Sequence, residues 1–130
     1  MSIKSDDLLT HMLSDVKQVT SAPAANNTCT GSIAAPANGK LHINCITGSC
    51  VNRAAAMVTA TLTIRDASIA GTALASWDFV MGTVAAPECA VVFEFKPELL
   101  GLKGSPVVFD FGTPNANMVQ KVTMTGWGDD

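Results

Sequence analysis

The chain has 130 residues, of which 48% are hydrophobic, 15% charged and 5% aromatic, with a net charge of −3, a pI near 5.2 and a mean hydropathy of +0.30. That length gives one domain able to bury a core without covalent staples, and so apolar a composition excludes a disordered chain. No apolar run reaches the roughly 18 to 20 residues that a bilayer-spanning helix needs, and an acidic balance supplies no positive field for phosphates. Neither a membrane span nor a nucleic-acid partner is expected.

At the N-terminus, Asp6 and Asp7 stand where a secretory signal carries basic residues, and no apolar signal core follows. Synthesis in a cytoplasm with reduced thiols is the expectation. Ser5 to Thr20 reads as a short amphipathic helix. Ser5 suits the N-cap, the two aspartates complement the positive helix end, and Leu9, Met12, Leu13 and Val16 recur at helical spacing. From Ser21 to Asn38 the composition collapses to Ala, Pro, Asn, Thr, Ser and Gly, and Pro23 and Pro36 disfavour helix. Residues 1–38 are therefore expected to form an N-terminal helix and extended arm, and residues 39–130 a β-sandwich domain.

After Gly39 the hydrophobic period becomes two. Leu41, Ile43 and Cys45 alternate with His42 and Asn44, and Val58, Ala60, Leu62 and Ile64 alternate with Thr59, Thr61, Thr63 and Arg65. Ala73, Ala75, Trp77 and Phe79 form another apolar face. Val91, Phe93 and Phe95 form a fourth, and Val107, Phe109 and Phe111 a fifth. In the last run Val122 and Met124 oppose Lys121, Thr123 and Thr125. Turn clusters at Gly48-Ser49, Asp66-Ala67-Ser68, Gly82, Ala86-Pro87, Gly101 to Pro106 and Gly112 to Asn115 separate the runs. Six or more short strands without intervening helices predict an all-β, antiparallel β-sandwich of jelly-roll or Greek-key connectivity. The leucines of Leu99-Leu100-Gly101-Leu102 are expected to plug one end.

Catalytic chemistry finds little support. Two histidines, His11 and His42, stand without a nucleophile motif. Glu88, Glu94 and Glu98 read as solubilising charges rather than a glycosidase pair. His42, Cys45, Cys50 and the distant Cys89 have the residue types of a zinc site, but positions 42 and 45 on a strand point to opposite faces. A turn at Gly48-Ser49 would bring Cys45 and Cys50 together as a hairpin disulfide or half a metal site. Buried thiols filling core positions is the simpler reading. No catalytic residue, metal or cofactor is assigned. Trp77 is expected in the core, whereas Trp127, between Gly126 and Gly128, is a candidate surface aromatic.

Three stretches resemble small β-sandwich virion proteins of tailed bacteriophages, including head decoration, or cement, proteins. They are Leu41-His42-Ile43-Asn44-Cys45-Ile46-Thr47, Ala60-Thr61-Leu62-Thr63-Ile64-Arg65-Asp66, and Phe93 to Gly104 with its Pro-Leu loop, followed by a closing Gly126-Trp127. The resemblance implies a non-enzymatic protein on the outer capsid surface, made in the host cytoplasm. It would bind the major capsid protein, self-associate (as a trimer in one arrangement) and stabilise the assembled lattice. The expected partner contacts are the helix face Leu9, Met12, Leu13 and Val16, the arm through Pro23 and Pro36, and Trp127. A head-fibre, tail or adhesion module binding a host glycan is the alternative.

Overall fold

The computed structural model describes residues 16–24, 27–53, 57–81, 88–112 and 118–129. Every alternating run of the sequence becomes a strand, and two more strands precede them. The strands are β1 (Val16–Ser21), β2 (Cys29–Ile33), β3 (Leu41–Asn52), β4 (Val58–Asp66), β5 (Ala73–Met81), β6 (Glu88–Leu100), β7 (Val107–Phe111) and β8 (Met118–Gly128). They form two four-stranded antiparallel sheets, one ordered β1-β8-β3-β6 (sheet A) and the other β2-β7-β4-β5 (sheet B).

The pairings β1·β8, β2·β7, β3·β6 and β4·β5 are nested, so the chain runs as one long hairpin wrapped across two layers. This is jelly-roll connectivity, one of the two the strand pattern allowed. The wrap brings residues far apart in sequence together: Thr20 and Thr123, 103 positions apart, share a 2.9 Å hydroxyl contact. Between the sheets lie Leu41, Ile43, Ile46, Leu62, Ile64, Phe109, Phe111 and Met124, each fully buried. Gly31 in β2 is a packing glycine. A Cβ there would lie 2.6 Å from the ring of Phe109, so the missing side chain is what admits that ring.

The arm, and the last turn of the expected helix, are corrected; residues 5–15 of that helix lie outside the described residues. Val16 to Thr20, expected to end a helix, form β1 and pair with Trp127 to Thr123 of β8. The apolar spacing that included Val16 suited a helix, but Val16, Val19 and Thr20 are β-branched, and the edge of β8 gives their backbone a partner. Leu9, Met12 and Leu13 lie outside the described residues. No boundary falls at residue 38, because β1 and β2 supply one strand to each sheet. Pro23 and Pro36 flank these strands and do not interrupt them, as a residue without an N–H must.

Three local expectations are also corrected. Gly48-Ser49 is not a turn but the middle of the twelve-residue β3. Within β3 the register shifts between Ile43 and Cys45. Asn44 is an extra residue, a β-bulge, and it reverses the alternation. Ile46 therefore goes to the core, and Cys45 moves to the outer face, only part-exposed. A similar shift between Ile64 and Arg65 leaves Ala73 exposed and sets Leu74 against the core. The leucine plug is Leu99 alone; Leu100 and Leu102 are exposed, because β6 continues as a strand to position 100. Trp77 packs against the core as expected, stacked on Phe93 at 4.3 Å and tilted against Phe95. The turn clusters at Gly82, Ala86-Pro87 and positions 113–115 lie outside the described residues. No helix among the described residues is long and apolar enough to cross a membrane.

Candidate contact face and the Trp127 cluster

Sheet A has one face toward the core, and its alternation dictates what the other presents. Five rungs cross it: Val16–Trp127–His42–Leu100, Gln18–Thr125–Cys45–Glu94, Thr20–Thr123–Thr47–Val92, Lys121–Ser49–Ala90, and Val119–Val51–Glu88. The β3 bulge is what keeps these rungs aligned, since without it Cys45 would leave the second rung. Glu88, Glu94 and Lys121 are the charged residues on the five rungs. Val16, Val92 and Leu100 stay 51%, 66% and 46% exposed, so apolar groups stand at both ends of the first rung and at one end of the third. Hydroxyls fill the middle, with Thr20 bonded to Thr123.

Two shallow, open hollows mark this face. One, of about 380 Å³, is lined by Thr47, Ser49, Ala90, Val92, Lys121 and Thr123. The other, of about 640 Å³, lies where Phe95 to Glu98 of β6 swing out opposite the single bulged Asn44. Pro97 at the centre of that excursion has no N–H to give a ladder, which an edge strand tolerates. The Lys96–Pro97 bond is cis. The exposed Lys96–Glu94 ion pair at 3.5 Å contributes little.

Trp127 sits at the end of the face in a cluster of four side chains. Its ring stacks on His42, with centroids 4.0 Å apart and planes within 7°. Its Nε1–H donates to Glu98 Oε2 at 2.5 Å, and the β6 excursion is what carries Glu98 there. His42 Nε2 bonds Asp129 Oδ2 at 2.5 Å. A carboxylate can only accept, so Nε2 carries the proton. Asp129 Oδ1 also accepts from the Lys40 backbone N–H at 2.7 Å, and the Asp129 N–H donates to the Lys40 carbonyl at 3.0 Å. The His42 hydrogen bond, then the one from Lys40, holds the Asp129 carboxyl below its usual range. Gly39 makes the clasp feasible, since a Cβ there would lie 1.5 Å from the Asp129 carbonyl oxygen. Pro36 also packs here, against Gly128.

Chemically, a histidine oriented by a carboxylate is half of a proton-transfer dyad. Here, however, the hydrogen bond of His42 to Asp129 and its stack on Trp127 fasten the end of β8 to the start of β3. Among the described residues no three His, Cys, Asp or Glu side chains group as metal ligands. Cys45 and Cys50 lie five positions apart on one strand, about 16 Å at ~3.3 Å per residue, so the hairpin pairing of these two is corrected. His42 and Cys45, expected on opposite faces, both lie on the outer one because of the bulge. Burial, then the charge of Glu94, raises the Cys45 thiol, and burial raises Cys29.

Of the residues expected to contact a partner, Val16 and Trp127 share one rung of this face. Pro36 is half-buried beside it, and Pro23 is half-buried just after β1. Sequence reasoning missed Glu98 and Asp129 and took His42 for a solvated strand residue. The signal was the β3·β8 register, which joins positions nearly ninety apart. No family model matches the sequence, and no curated protein matches it. Among solved structures the chain is similar to a protein of Bacillus endospore appendages, described as a novel family of disulfide-linked pili, with 11% identity and a TM-score of 0.34 over 89% of this chain and 90% of that one.

Proposed function

We propose that the protein is a non-enzymatic structural component of a tailed-phage virion, a decoration protein that binds the outside of the assembled capsid lattice. The observation that carries this reading is the outer face of sheet A, broad, rich in hydroxyls at its centre, and rimmed by exposed Val16, Val92 and Leu100. Aliphatic groups gain by leaving water, and neutral hydroxyls cost far less to desolvate than charges do. Binding the assembled lattice but not its free subunits stabilises the lattice by mass action. Self-association of the decorating chain multiplies weak single contacts.

Co-sedimentation of the purified protein with intact particles tests this, with bound copies counted per capsid subunit. Saturable binding at a fixed ratio is expected, abolished by Thr47→Lys combined with Val92→Lys in a variant whose circular dichroism is unchanged. Absence of binding, or binding indifferent to those lysines, sinks the reading. A second reading rests on Trp127, whose partly exposed ring lies beside the carboxylates of Glu98 and Asp129, groups that suit a sugar. It places the same fold in a fibre, tail or adhesion module binding a host glycan. Glycan binding that disappears in Trp127→Ala, with a handful of copies per particle, would favour it.

A further inference from the structure

The cysteines are not all used by the contact face. Cys45 lies on the second rung, and the Cys29 thiol, in sheet B, donates to the Ser21 carbonyl at 3.4 Å. Cys50 is 1% exposed on the core side of β3. The strand register makes Cys89 of β6 its direct partner. Residues directly opposed in an antiparallel pair have Cα atoms about 4.5 to 5.5 Å apart. That lies inside the roughly 4.4 to 6.8 Å that disulfides span. Other pairings fail this test. Cys45 and Cys50 are too far apart along one strand, and Cys29 belongs to the opposite layer, where its register partner is Phe111.

The place of this rung gives a bond there a purpose. β6 is the edge of sheet A, its ladder made with β3 alone, and it supplies Val92, Glu94, Glu98 and Leu100 to the contact face and the Trp127 cluster. A covalent tie between positions 50 and 89 would anchor the edge strand to the centre of the sheet.

We propose that Cys50 and Cys89 are a redox pair, two thiols in a reducing compartment and a cross-strand disulfide once the protein meets a disulfide oxidant such as oxidised glutathione. One thiolate attacks the glutathione disulfide, forming a mixed disulfide and releasing one glutathione thiolate. The other thiolate then attacks the protein sulfur of that mixed disulfide, closing the Cys50–Cys89 bond and releasing the second glutathione. The two thiols give up two protons and two electrons, and oxidised glutathione is reduced to two glutathiones. Cys50 is buried, so attack by its thiolate requires β6 to lift from β3, and oxidation should speed up in mild denaturant. The chemistry does not depend on what the outer face binds.

The test uses the full chain, reduced and then incubated with oxidised glutathione, quenched in acid, alkylated and analysed by intact mass and peptide mapping. The expected product is lighter by two hydrogens than the reduced protein and yields a linked peptide holding positions 50 and 89. Cys29 and Cys45 remain free to alkylate. Oxidation should raise the denaturant midpoint, and Cys89→Ser should abolish both changes. Because the wild-type peptide map is decisive by itself, a poorly folding variant does not blunt the test. A linked peptide containing Cys45 or Cys29, glutathione adducts that never resolve, or no mass change in mild denaturant would overturn the proposal.

Discussion

Asp129 shows how one side chain can close a sandwich. It accepts from the His42 side chain and the Lys40 backbone N–H, and both bonds favour its ionised form. Its folded pKa is lowered from 3.8, so its contribution to stability is present above that unfolded value and is lost as pH falls through the lowered one. Titrated below about pH 4, the backbone N–H resonance of Lys40, bonded to Asp129 Oδ1, should shift as the clasp loosens. Asp129→Asn should remove that acid transition while leaving the core resonances in place. Ala67 makes a separate point. It holds φ at +69° in the turn after β4, with its N–H bonded to the Pro106 carbonyl. A Cβ is strained there, so Ala67→Gly should stabilise the fold by about 0.5 to 1 kcal/mol in denaturant unfolding. Neither residue announces its role in the sequence. Ala67 lies in a recognisable turn cluster, but the sign of its φ is set by the tertiary hydrogen bond. Asp129 is one of two aspartates beside the final glycine until the β3·β8 register gives it a histidine.

Among the elements, the strands from β3 onward were legible because period two is a local signal: alternating apolar residues must line one face. What was not legible was where that period slips. Asn44 resembles any other outward polar residue, and only the partner strand reveals it as the extra one. The Gly48-Ser49 pair reads locally as a turn. Between two long neighbours with complete ladders, β3 instead runs straight through it. β1 and β2 were missed for the opposite reason, since short edge strands rich in Thr, Ser and Gly carry little hydrophobic pattern. Deleting Asn44 tests the bulge. With the extra residue gone, Leu41, Ile43 and Ile46 still alternate inward and His42, Cys45 and Thr47 outward, so every core side chain should keep its place. The denaturant midpoint should change little, and near-ultraviolet circular dichroism should keep the signal of the Trp127–His42 stack. A large loss of either would show that the extra residue is needed opposite the Phe95 to Glu98 excursion.

At the level of the whole molecule, the sandwich class followed from the sequence, but the order of strands within each sheet did not. Alternation says that a strand has a buried face and is silent on its neighbour. The contact face is thus a property of the assembled sheet: its five rungs draw on β1, β3, β6 and β8, and no single segment displays it. Nested pairing also governs how the fold forms. Its outermost ladder must close nearly the whole chain, which makes refolding slow for this length, in the ~ms to s range of non-local β folds. Stopped-flow tryptophan fluorescence should find it there, and a microsecond phase carrying the full amplitude would contradict it. The same nesting makes the molecule indifferent to where its chain is cut. Opened in the β4–β5 turn at Ser68 to Gly71, and joined from its present last residue to its first, a circular permutant would keep every rung while turning the order of closure inside out. The β1·β8 ladder, now the last to be reached, would become a local hairpin, and β4·β5 would become the long-range pair.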